Sequence, residues 1–218
     1  MKKSKITLIV SMLVIGVILG GSEITLAQDL KGKFKVVNRS IRFDKTSGTI
    51  NLDEVDGAGI AWIKKEKFTT GIIEFDVKGK DELQQSFVGI AFHGLNDTTY
   101  ESIYFRPFNI RAADPERRAH AVQYIALPGN DWLKLREDFP GKYEQPVSSA
   151  LDPNDWFHVK IVVSVRFIKV YMNNSDQPVL EVESLAGVKG EMIGYWAGNG
   201  SGGDWKNLKI SRLNDILD

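Results

Sequence analysis

Short runs of alternating polar and apolar residues recur along this chain between turn-forming residues, and they constrain its fold more than any other feature. They cover residues 34–37, 40–44, 59–63, 71–78, 87–93, 101–105, 119–126, 157–165, 168–173, 179–182, 190–196 and 205–211. A strand turns successive side chains to opposite faces, so each run reads as a strand with one face on a core. No stretch carries an apolar stripe at helical spacing. About a dozen such strands predict an all-β fold, a two-sheet antiparallel β-sandwich or jelly roll, formed as a single domain without internal repeats.

The turn chemistry agrees. Arg166-Phe167 and Asn173-Asn174-Ser175-Asp176 separate three successive strands as hairpin turns, with Val159, Ile161 and Val163 facing inward and His158, Lys160 and Ser164 facing water. The glycine-rich stretch 198–203 joins the last two strands. Residues 128–153 break the rhythm with Pro128, Pro140, Pro146 and Pro153, and set Trp132, Phe139 and Tyr143 among charges. A long loop of this kind walls a ligand site in many sandwiches.

The amino terminus predicts export. Lys2, Lys3 and Lys5 precede an apolar run from Ile6 to Leu19, followed by Thr25-Leu26-Ala27 in the small-residue pattern of a signal peptidase site. Residues 1–27 are expected to be a signal peptide cleaved before Gln28, leaving residues 28–218 as the domain. The apolar run is about 14 residues, short of the roughly 20 that a membrane span needs, so no stable span is expected after cleavage. The mature chain is expected to be secreted or periplasmic, in a bacterial setting.

Removing the leader's Lys2, Lys3, Lys5 and Glu23 leaves 25 basic against 27 acidic residues. That balance argues against a nucleic-acid partner, which needs a clustered positive surface. The one basic cluster is Arg106, Arg111, Arg117 and Arg118, interrupted by Asp114 and Glu116. The chain has no cysteine, so disulfides, thiolate metal sites and cysteine nucleophiles are excluded. An exported chain of about 190 residues must then rely on its core, and at that size it buries roughly 70% of its unfolded surface.

Function is most legible in residues 100–108. Ser102, Tyr104 and Arg106 share one strand face, while Ile103 and Phe105 share the other. The following strand adds Gln123, and His120 or Tyr124, to the same surface. Sugar recognition uses planar aromatic faces and fixed polar groups for hydroxyls, and Tyr104, Arg106 and Gln123 supply both kinds. Tyr124 and Trp132 are further binding candidates, with Trp132 on the long loop placed to close over a ligand. His93 ends a strand whose alternate face holds only Gly89 and Ala91, which leaves room for a ligand. With His120 it is a candidate proton carrier. Trp62, Trp156, Trp196 and Trp205 lie inside strand patterns and read as core or edge packing.

Several segments together carry a resemblance: Phe68-Thr-Thr-Gly-Ile-Ile-Glu-Phe-Asp-Val77, Ser102-Ile-Tyr-Phe-Arg106, His120-Ala-Val-Gln123, Trp156-Phe-His-Val-Lys-Ile-Val162, Gly190-Glu-Met-Ile-Gly194 and Asp204-Trp-Lys-Asn-Leu-Lys-Ile210. The chain resembles the concanavalin A-like lectin/glucanase superfamily, and within it the 3-keto-disaccharide hydrolase-like (laminin G-like) domains of secreted bacterial proteins. The resemblance implies two curved antiparallel sheets with carbohydrate on the concave face. In the keto-sugar family an arginine ending one strand, and a glutamate and glutamine on the next, look into that face. Arg106 and Gln123 match, but Ala121 stands where that pattern has an acid. A structural calcium is common in the superfamily; Asp204 and the Asp53-Glu54-Val55-Asp56 loop offer oxygens, but no calcium loop signature is present. No cofactor or metal is therefore expected.

Other chemistries lack their residues. The glucanase pattern needs a third carboxylate after an alternate pair. Glu74 and Asp76 stand roughly 7 Å apart by strand rise, but the third position is Gly79, so they read as a solvent-facing strand side. No Gly-x-Ser-x-Gly turn exists, and the three histidines show no metal-ligand spacing. Three classes stay open: an enzyme acting on a glycoside, a non-catalytic glycan-binding module, and an adhesion or structural sandwich.

Overall fold

The computed structural model describes residue 30 and residues 32–212, so the expected signal peptide lies outside the described residues. The strands are β1 (Phe34–Val37), β2 (Ile41–Asp44), β3 (Thr49–Val55), β4 (Gly59–Ile63), β5 (Gly71–Lys78), β6 (Val88–Asn96), β7 (Thr99–Phe105), β8 (Val122–Leu127), β9 (Glu144–Gln145), β10 (Phe157–Val163), β11 (Phe167–Met172), β12 (Leu180–Glu183), β13 (Met192–Ala197) and β14 (Ser201–Arg212). They form two seven-stranded antiparallel sheets. The first has the order β1-β4-β13-β6-β7-β8-β9 and the second β12-β11-β10-β5-β14-β3-β2. This is the all-β sandwich that the alternating runs predict.

In the second sheet the alternation maps directly onto burial. Ile73, Phe75 and Val77 of β5 and Phe157, Val159, Ile161 and Val163 of β10 point into the core, and the residues between them are half-buried on the outside. The two sheets meet through Phe105 and Phe157, whose rings are 5.1 Å apart, and Tyr195 and Trp205, at 5.6 Å. The Trp205 indole crosses the core to donate to the Gly89 carbonyl at 3.0 Å. A large-to-small change at such a position, Phe75→Ala for example, costs about 3–5 kcal/mol in lost transfer and cavity terms.

The first sheet differs, because β6, β7 and β8 are buried at nearly every position and hence on both faces. Short helices depart from the strand-only expectation, among them α1 (Pro107–Ile110) and α2 (Pro115–Arg118) in the β7–β8 connection, and α3 (Trp132–Asp138) inside the long excursion. Pro107 and Pro115 occupy first-turn positions, where a missing N–H costs nothing. Asp131 caps α3 by accepting from the Lys134 amide at 2.9 Å. Strand β8 consequently starts at Val122, not at residue 119, and β3 and the two-residue β9 are strands that the alternation did not reveal.

Candidate functional site

Register brings the expected residues together. Trp196 pairs with Gly89, Gly89 with Tyr104, Tyr104 with Gln123 and Gln123 with Glu144. That row crosses β13, β6, β7, β8 and β9 on the face of the first sheet turned away from the second. Gly89 has no side chain to separate its neighbours, so the Tyr104 and Trp196 rings meet over it with centroids 4.8 Å apart. Any Cβ there would stand 2.1 Å from the Ile103 carbonyl oxygen, so the position admits only glycine.

Arg106 is the hub. Its guanidinium donates to the Tyr104 hydroxyl at 2.7 Å, to Gln123 Oε1 at 3.2 Å and to the His120 carbonyl at 2.9 Å. The Gln123 amide in turn donates to the Tyr124 and Tyr143 carbonyls. Tyr104, Arg106 and Gln123 thus converge, but they are buried and bonded to one another and do not form an open surface. Burial raises the Tyr104 pKa, so the phenol stays protonated.

The surface above this cluster is built by residues that alternation did not single out. Glu144 of β9 is buried and accepts two hydrogen bonds from Arg136, at 2.7 and 2.6 Å. It also stands 3.3 Å from His120 Nε2 and 3.9 Å from Arg106. Arg136 projects from α3, and its guanidinium stacks on Trp132 at 5.0 Å. Trp132 itself is 44% exposed. The result is a continuous path from an exposed indole through a guanidinium and a carboxylate to the buried Arg106 cluster. The Arg136 pKa is raised, chiefly by its hydrogen bonds to Glu144. That of His120 is lowered by burial, against the opposing pull of the Glu144 carboxylate.

Ala121, where the resemblance expects an acid, is buried and accepts from the Arg106 amide at 2.8 Å. The carboxylate instead arrives from the neighbouring strand, directly across from Gln123. The available signal was Glu144-Gln145 just after Pro140-Gly141, a pair too short to show alternation.

Two expected residues belong elsewhere. Tyr124 lies on the inner face of the first sheet, where its hydroxyl donates to Glu101 and accepts from the Leu185 amide at 2.9 Å. His93 lies within the register shift between Phe92 and Asn96 and has a φ of 51°, which takes it out of alternation with Gly89 and Ala91. Its ring stacks on Phe68 and bonds Glu101 and the Thr69 carbonyl, in a knot that Ser184 completes by donating to Glu101 at 2.7 Å. Neither residue looks into the site.

Trp62 and Trp196 are on the outer face of the first sheet, Trp62 edge-on to Tyr100 and Trp196 donating to the Tyr100 hydroxyl at 3.1 Å. Glu74 and Asp76 are on the outer face of the second sheet, where Asp76 accepts from Asn207 at 2.7 Å and pairs with His158 Nδ1 at 2.8 Å. Of the oxygens considered for calcium, Asp204 accepts from Asn51 and Asp53 from the Ser40 amide. Among the described residues no three His, Asp or Glu side chains are grouped to hold a metal.

No family model and no curated protein matches the chain. Solved structures do. The carbohydrate-binding module CBM66 from Bacillus subtilis superposes with a TM-score of 0.59 at 13% identity, over 81% of this chain and 93% of that one. A Bacillus subtilis protein with a galectin-like fold gives 0.54 at 12% identity, over 84% and 91%. The exoplasmic/lumenal domain of VIP36, in its Ca2+/Man3GlcNAc-bound form, gives 0.52 at 13% identity, over 85% and 88%. The chain therefore shares the two-sheet jelly-roll fold of these structures.

Proposed function

We propose that this chain is an exported carbohydrate-binding protein whose site is the corner of the first sheet where β7, β8, β9 and α3 meet. The observation that carries the reading is the path from exposed Trp132 through Arg136 and Glu144 to Arg106, Tyr104 and Gln123. An exposed indole offers its face to the apolar side of a pyranose, while the partly exposed Arg136 guanidinium beside it, fixed by buried Glu144, offers directed donors to hydroxyls. The hydrogen bonds beneath hold those groups still, so little side-chain entropy is lost on binding. The fold's likeness to a carbohydrate-binding module and to a sugar-bound lumenal domain supports the same reading. The leader pattern supports export, and among the described residues no helix is long and apolar enough to cross a membrane.

Binding is favoured over ordinary glycoside cleavage because that route uses two carboxylates flanking one bond. Glu144 is at the site, whereas Glu101 is on the inner face and Glu74 and Asp76 belong to the other sheet. One observation favours a second reading, a keto-glycoside hydrolase: partly exposed His120, kept neutral by its lowered pKa, stands beside Glu144 and is able to accept a proton. Incubating the protein with glucosides and their 3-keto derivatives separates the two. Retention of every substrate with measurable affinity supports binding alone, and turnover that disappears in His120→Gln supports the enzyme. A glycan array with Trp132→Ala tests the site itself; undiminished binding by that variant contradicts it.

A further inference from the structure

The β7–β8 connection carries Arg106, Arg111, Arg117 and Arg118 against Asp114 and Glu116. Its arginines are held chiefly by neutral oxygens. Arg106 donates to the His120 carbonyl, Arg117 to the Phe108 carbonyl and Asn109 Oδ1, and Arg118 to the Ala112 and Ala113 carbonyls. Asn109 also donates to the His120 carbonyl, so Arg117 and Arg106 are joined through one side chain and one shared acceptor. The nearest carboxylate to Arg106 is Glu144, 3.9 Å away and already gripped by Arg136. Carbonyls fix the direction of a guanidinium without cancelling its charge. Moreover, no fully buried side-chain nitrogen or oxygen among the described residues lacks a hydrogen-bond partner. The Arg106 Nε–H, which makes none, is therefore not completely enclosed, although the side chain is only 6% exposed.

We infer that the saccharide taken at this corner is an acidic one, with a carboxylate or sulfate received by Arg106 and Arg117 while its ring lies toward Trp132. This rests on the carbohydrate-binding reading above and adds the class of sugar to it. A charged guanidinium N–H left over on Arg106 and on Arg117 matches an anionic oxygen better than it matches a neutral hydroxyl.

Titration calorimetry on the full chain tests it with oligogalacturonate, the same oligomer methyl-esterified, a sulfated chondroitin oligosaccharide, neutral galacto-oligosaccharide and single-stranded DNA. The free acid or the sulfated oligomer is expected to bind at least about tenfold more tightly than its uncharged counterpart. That advantage is expected to shrink as salt rises from about 50 to about 300 mM and the screening length shortens. Arg117→Gln, at a half-buried position where folding is spared, is expected to remove most of the preference while leaving weak Trp132-dependent affinity. Equal binding of the free acid and its methyl ester overturns the inference but leaves sugar binding standing. Binding of DNA as tightly as the acidic sugars also overturns it, because the corner would then be a general polyanion surface. Failure of every saccharide overturns both readings.

Discussion

On the outer face of the second sheet Glu74 lies in register between Lys160 of β10 and Lys209 of β14, and Asp76 is held by His158 and Asn207. At the corner of the first sheet, by contrast, Glu144 is buried under Arg136, and the arginines around it are held by carbonyls, a phenol and amide oxygens. The second face therefore neutralises its charges laterally, across strands and in water, where each pair contributes little. The corner fixes its charged groups in place and leaves donor capacity over. One backbone architecture thus gives a solvated wall on one side and a preorganised polar corner on the other. The contrast comes from what flanks the strands. The second face is open, whereas the helices of two long connections close over the first.

The largest expected effect tests that contrast at its centre. Glu144→Ala strands Arg136 and Arg106 without their carboxylate and should cost about 3 kcal/mol in urea unfolding, as expected for breaking a buried pair. A loss near that of a surface pair would show the corner to be as solvated as the other face. Trp132→Ala should weaken glycan binding about tenfold, roughly 1.4 kcal/mol, while moving the unfolding midpoint little, since the indole is exposed. On the opposite face Glu74→Gln should change stability by less than about 1 kcal/mol and binding not at all. A binding defect in that variant would place the ligand on the wrong sheet.

The smallest effect concerns pH. Burial holds the His120 pKa below its ordinary 6.5, so the unfolded chain takes up the proton first. Stability from keeping the ring neutral is present in full above 6.5 and is lost as pH falls from there toward the lowered folded value. His120→Gln should flatten the decline in melting temperature across that window; an unchanged slope would remove His120 from the account.

The second sheet was readable because β5 and β10 have one wet face, and a period of two is then written into the residues. The convergence of Tyr104, Arg106 and Gln123 was readable for a different reason, since adjacent antiparallel strands with aligned faces bring such residues together. Their burial was not, because nothing in a strand's own pattern says what lies over it. Tyr124 was misplaced because β8 is buried on both faces, so polar character no longer marks the outer one. His93 was misplaced because a register shift moves the alternation by an amount that its sequence does not announce. Glu144 escaped because a two-residue strand has no period, and Arg136 because α3 has only seven residues, too few to show a helical stripe.

The most direct measurement follows side-chain N–H signals by NMR during titration with a bound glycan. The account predicts that the Trp132 indole and the Arg106 Nε–H move with one shared affinity while the Trp156 indole, beside Lys206 on the second sheet, stays fixed. Movement of Trp156 with Trp132 and Arg106 unperturbed would contradict it.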